Sequence, residues 1–153
     1  MEKSCDNGFG IEFCEQPCPS TDVEGLRFIR ERSGVALVAD ESCATEEDIA
    51  PLVGAVDGIN IKLMKCGGLR RARRLIEVAR AHHLRVMCGC LIESSLAISA
   101  AAQLLPLLDY ADLDGNLLLA SDPFTGVTAS HGRMVDRKST RLNSSHANIS
   151  YAV

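Results

Sequence analysis

Gly58-Ile59-Asn60-Ile61-Lys62-Leu63 alternates apolar and polar side chains, and its reading decides the fold. Alternation puts Ile59, Ile61 and Leu63 on one face of a strand, with Asn60 and Lys62 on the other. Gly67-Gly68 then opens a basic segment, Leu69 to His82, in which Leu69, Ala72, Ile76 and Ala79 recur at helical spacing. A buried strand seldom ends on an ionised group, because an unpaired charge there is costly. Strand, charged tip and helix together form the unit from which a (β/α) barrel builds its active site, at the C-terminal ends of its strands.

The same unit recurs on both sides. Upstream, Val35–Ala39 ends on Asp40, and Ile11–Glu15 is closed by Gln16-Pro17. Between them Asp22 to Arg32 reads as a helix that Thr21 or Asp22 caps and Ser33-Gly34 ends. Thr45-Glu46-Glu47-Asp48 has the form of a capped start to a short helix running through Leu52. Downstream come a strand at Leu84–Cys88 and an apolar helix from Ser94 or Ser95 through Leu105. The strand Tyr110–Leu113 follows, carrying Asp112 and Asp114 on one face. From Gly115 to Val135 the pattern is loop-like. Charged tips near 15, 40, 62, 93 and 112 give a repeat of about 20–25 residues, close to the shortest βα unit that packs. Five units do not close an eight-stranded barrel. An open doubly wound sheet is the alternative, but it gathers its polar residues at one switch point. The expected fold is α/β: a partial (β/α) TIM-type barrel whose first strands lie upstream of Met1.

The final segment, Asp136 to Val153, resembles the in-frame translation of a sequencing-adapter oligonucleotide, and is set apart as non-native. The fold domain is therefore 1–135. Without the tail's three basic residues and one acid, the net charge moves from −4 to −6, which excludes a basic nucleic-acid surface. Apolar content of 46% suffices for a core, but no run of about 18 apolar residues forms a membrane span. The N-terminal residues lack the apolar core of a signal peptide, so a cytoplasmic location is expected. Seven cysteines, an odd number without a C-x-x-C pair, read as free thiols rather than a disulfide framework.

Carboxylates at neighbouring strand tips repel unless a cation lies between them, and Mg²⁺ is the hard ion that takes such oxygens. Glu15 and Asp40 are the candidate metal ligands. Lys62 reads either as the cation that neutralises those acids or as the candidate general base, because desolvation near a divalent cation lowers a lysine's proton affinity. Lys65 falls on the opposite face by strand parity and reads as structural.

Five motifs occur in order: Glu15-Gln16-Pro17, Ala39-Asp40-Glu41-Ser42, Asn60-Ile61-Lys62-Leu63-Met64-Lys65-Cys66-Gly67-Gly68, Gly89-Cys90-Leu91-Ile92-Glu93-Ser94-Ser95 and Asp112-Leu113-Asp114. Together, over residues 9–135, they resemble the enolase superfamily in its muconate-lactonizing branch, nearest the dipeptide epimerases. The resemblance implies the fourth to eighth βα units of an enolase-type C-terminal barrel. It implies Mg²⁺ on Glu15 and Asp40, with Lys62 as the base on one face of the substrate α-carbon. It further implies Asp112 and Asp114 on the substrate ammonium, Cys90 and Ile92 at the substrate, and Glu93 and Glu41 in support. A lysine base beside Mg²⁺ is how sites of this superfamily stabilise an enolate.

The expected activity is Mg²⁺-dependent epimerisation of a small dipeptide, with a homo-oligomer of the full-length protein left open. The family's second lysine, first metal aspartate and capping domain have no counterpart in the chain, so the 153 residues alone are expected to be inactive. A muconate cycloisomerase or o-succinylbenzoate synthase of the same branch is the alternative enzyme. An inactive remnant or an interaction surface is the alternative outside catalysis.

Overall fold

The computed structural model describes residues 10–130 and 133–135; the tail from Asp136 lies outside them. Five parallel strands pair in chain order: β1 (Phe13–Glu15), β2 (Ala36–Ala39), β3 (Gly58–Lys62), β4 (Arg85–Gly89) and β5 (Tyr110–Ala111). Helices α1 (Val23–Arg32), α2 (Ile49–Leu52), α3 (Leu63–Cys66), α4 (Leu69–Ala81) and α5 (Ser95–Ala102) fall between them.

The sheet is curled. Flat strands lie about 4.8 Å apart, so the edges of a five-stranded sheet would be separated by roughly 19 Å. Instead the Phe13 ring on β1 meets the Tyr110 ring on β5, with centroids 4.8 Å apart. The two edge strands therefore face each other across the interior of a half-barrel, which rules out the open doubly wound alternative.

The two faces of β3 separate as its alternation requires. Ile59 and Ile61, at 0% and 2% exposure, join the apolar core under the helices, each contributing about 1.5–3 kcal/mol by burial. Asn60 and Lys62 face inward. Helix α1 begins at Asp22, whose carboxylate accepts the Gly25 N–H at 2.8 Å, and it buries Leu26. On α4 the buried residues are Ala72, Leu75, Ile76 and Ala79. Leu69, expected on that face, is the first residue of α4 and is 40% exposed.

Three further expectations are corrected. β3 stops at Lys62, and Leu63 starts the helical turn α3, which Gly67 ends at φ 88° as a left-handed cap. β5 stops at Ala111, so Asp114 instead precedes a 3₁₀ turn at Gly115–Leu118. The stretch read as loop after Gly115 contains an antiparallel hairpin, β6 (Thr128–Ser130) with β7 (Arg133–Val135).

Candidate active site

The C-terminal ends of β1, β2 and β3 bring three charged groups together. Lys62 Nζ lies 2.5 Å from Asp40 Oδ2 and 4.0 Å from Glu15 Oε1. Asn60, one inward position below Lys62, donates its Nδ2 to Glu15 Oε1 at 2.7 Å. Asn60 is 2% exposed, and its buried Oδ1 has no donor among the described residues. Gly89, paired with Lys62 across β3 and β4, leaves these side chains room. A Cβ there would sit 2.7 Å from Asn60 Nδ2 and 3.1 Å from Lys62 Cε.

Burial raises the Glu15 pKa, and the hydrogen bond from Asn60 and the charge of Lys62 only partly offset it. Burial acts on Asp40 too, but hydrogen bonds from Lys62 and Lys65 prevail and hold it below the ordinary value. Burial works against the Lys62 ammonium, yet the hydrogen bond to Asp40 and the charges of Asp40, Glu15 and Glu41 outweigh it. Lys62 is therefore raised rather than lowered, because carboxylates face it.

Lys65 does not point away as strand parity suggested. The turn of α3 swings it back, so that Nζ reaches Asp40 Oδ1 at 2.9 Å and Glu41 Oε1 at 3.4 Å. Gly67-Gly68 carried the signal that the strand was ending. Gln16 was also missed as a site residue; its amide spans the tips of β1 and β2.

The other candidates lie on the loops after β4 and β5. Cys90 Sγ accepts the Gly115 N–H at 3.3 Å, joining the two loops. Glu93 Oε1 accepts the Leu91 N–H at 2.9 Å and so braces the turn, while Ile92 is 66% exposed beside it. Asp112 is anchored by its N–H on Cys88 O at 2.9 Å. Burial and the charge of Asp114 raise the Asp112 pKa, with Lys62 opposing. Asp112 and Asp114 are thus electrostatic neighbours, brought together by a turn rather than by strand alternation. Asp112 also lies within the field of Lys62.

Among the described residues no group of three His, Cys, Asp or Glu side chains is placed to hold a metal ion. Glu15 and Asp40 nonetheless turn hard oxygen donors toward one cation, the Lys62 ammonium, so two of the ligands that Mg²⁺ prefers face a common point. Also among the described residues, no helix is long and apolar enough to cross a membrane.

The chain is similar to known proteins. The chain is 50% identical over 123 residues to an L-Ala-D/L-amino acid epimerase of Flavobacterium johnsoniae, covering 80% of this chain and 37% of that protein. The dipeptide epimerase of Enterococcus faecalis V583, solved with Mg and L-Leu-L-Tyr, is 39% identical with a TM-score of 0.73, covering 77% of this chain and 35% of that one. A substrate-liganded L-Ala-D/L-Glu epimerase from Bacillus subtilis gives a TM-score of 0.76 at 36% identity, covering 82% and 36%. The chain thus spans about a third of the length of these relatives. A family model for enolase C-terminal domain-like proteins matches residues 1–137. With its half-barrel of parallel strands and acids gathered around Lys62, the chain belongs to the enolase C-terminal domain-like family.

Proposed function

We propose that residues 1–135 are the barrel segment of a Mg²⁺-dependent dipeptide epimerase, an isomerase, and that 136–153 are a non-native tail. The observation that carries this reading is Lys62 held between Asp40 and Glu15 at a mouth that also bears Asp112. Glu15 and Asp40 would hold the metal. When bound, Mg²⁺ supplies positive charge that lowers the cost of negative charge building up on a substrate carboxylate.

As the neutral amine, once a bound cation relieves the pull of Asp40 and Glu15 on its ammonium, Lys62 takes the α-proton of the substrate's C-terminal residue on Nζ; as the ammonium it returns it, from one face. Asn60 holds Glu15 in place, and Lys65 keeps Asp40 and Glu41 oriented. Asp112 and Asp114 receive the substrate ammonium. Burial first, and then the charge of Asp114, raise Asp112, and a cationic group relieves both. Cys90 and Ile92 present backbone to the substrate, and Glu93 steadies that loop. The small-molecule partner is a dipeptide.

The test is deuterium incorporation in D₂O by the whole protein carrying this segment, offered L-Ala-L-Glu and L-Leu-L-Tyr. Label should appear at the α-carbon of the C-terminal residue and vanish with EDTA. Asp112→Asn with Asp114→Asn should abolish binding of these amino substrates. Label entry unaffected by that double change would end the dipeptide reading and favour a substrate without an ammonium.

A further inference from the structure

Gln16 occupies the left-handed region at φ 39°, an uncommon conformation for a residue with a side chain. Its backbone N–H and both ends of its side-chain amide are engaged. Its backbone N–H extends the β1–β2 ladder to Val38 O at 2.9 Å. Its Oε1 accepts the Asp40 N–H at 2.9 Å and the Ser42 N–H at 3.2 Å. Its Nε2 donates to Cys18 O at 2.8 Å and to Ser42 Oγ at 2.9 Å. Ser42 Oγ in turn donates to Ser20 O at 2.9 Å, so the loop after β2 is tied to the loop after β1.

The residue before Gln16 is Glu15, and the residue it grips is Asp40. We propose that Gln16 is a positioning residue that fixes the two metal-facing carboxylates relative to each other across adjacent strands. The inference rests on the metal reading of Glu15 and Asp40. Backbone held in a sparsely populated conformation collects at functional sites when the surrounding contacts determine it fully, and these five hydrogen bonds do so. A wandering Asp40 backbone would cost metal affinity before it cost the fold, because β2 and the core beneath it do not depend on this amide.

The experiment titrates Mn²⁺ into the whole protein and reads free ion by electron paramagnetic resonance, for the natural sequence, Gln16→Met and Gln16→Glu. Gln16→Met should bind Mn²⁺ about 10–100-fold more weakly, the range for losing a partner that orients a ligand. Gln16→Glu should recover part of that loss, since one carboxylate oxygen still accepts both N–H groups while the other faces the Cys18 carbonyl without a proton to donate. A folded Gln16→Met with unchanged Mn²⁺ affinity, or a Gln16→Glu as weak as Gln16→Met, would overturn the proposal.

Amide hydrogen exchange in metal-free natural protein gives a second arm that needs no variant. Asp40 and Ser42 amides should be protected, and exchange at free-chain rates would overturn the proposal even if Gln16→Met failed to fold. Absence of Mn²⁺ binding by the natural protein would instead overturn the metal reading, leaving the exchange result to judge the clamp.

Discussion

The two ends of the strands use the same residue types to opposite purpose. At the N-terminal end, Asp57 precedes β3; its Oδ2 accepts the Leu37 N–H at 3.0 Å and its Oδ1 meets Arg30 Nη2 at 2.8 Å. Asp109 precedes β5 in the same way, accepting the Val86 N–H at 2.7 Å and pairing with Arg80 at 2.6 Å. Each aspartate latches the next strand to the previous one, through an arginine on the helix between β1 and β2 or between β3 and β4. Both oxygens of Asp57 are engaged, and Asp109 is likewise neutralised. At the C-terminal end the cations are shared: Lys62 serves both Asp40 and Glu15, Lys65 serves both Asp40 and Glu41, and among the described residues Asn60 Oδ1 has no donor. Satisfied charge marks the end that holds the fold. Charge shared among several acids marks the end that carries the candidate site.

Removing Lys62 should separate the two ends most sharply. Lys62→Ala in the whole protein is expected to lower the epimerisation rate by about 10²–10⁴-fold, the usual weight of a general base. Its urea midpoint should stay near that of the natural protein, because Lys65 still pairs with Asp40. Full activity in this variant would remove Lys62 from the mechanism. The converse change is Asp57→Ala or Asp109→Ala, each leaving an arginine and a strand N–H without a partner. Either should cost about 1.5–3 kcal/mol in urea unfolding, with kcat preserved in the folded fraction.

Gly89→Ala sharpens the comparison from inside the mouth. A methyl there presses on Asn60 and Lys62 together, so roughly 1–3 kcal/mol of overpacking should appear along with a loss of activity. A stable and fully active Gly89→Ala would mean that the mouth tolerates movement of both groups.

The smallest effect is in pH. Asp40, where hydrogen bonds from Lys62 and Lys65 outweigh burial, and Asp48, held by the Thr45 N–H, both titrate below the ordinary 3.8. The stability they contribute is complete above that value and lost as pH falls through their folded values. Glu15 is raised above 4.5, chiefly by burial, so its contribution has the opposite sign. It is present below 4.5 and lost as pH rises through the folded value. Glu15→Gln should therefore gain a Tm advantage, on the order of a few °C, over the natural protein between about pH 4 and 7. An advantage that shrank with rising pH would contradict the assignment.

What the sequence made legible was local. Alternation in β3 separated Ile59 and Ile61 from Asn60 and Lys62, and the charged tips at 15, 40 and 62 mapped onto one mouth. What it hid was whatever depended on where a strand stops or on partners far along the chain. Lys65 was misplaced because alternation was carried past Lys62 into a helical turn. Asp112 and Asp114 are electrostatic neighbours for a reason other than parity. The latches of Asp57 and Asp109 join residues 20 to 29 positions apart, and no periodic pattern announces them. Gln16 resembled a simple strand-ending residue until its amide was seen to bridge two loops.

The aromatic contact between Phe13 and Tyr110 has a mechanical meaning. Each ring sits two residues below an acid of the mouth, Glu15 on one side and Asp112 on the other. The pair therefore works as a spacer bar, setting the calibre of the opening from its base. Because that calibre is fixed by packed carbon rather than by charge, neutralising the acids above would change what the opening holds and leave its width intact.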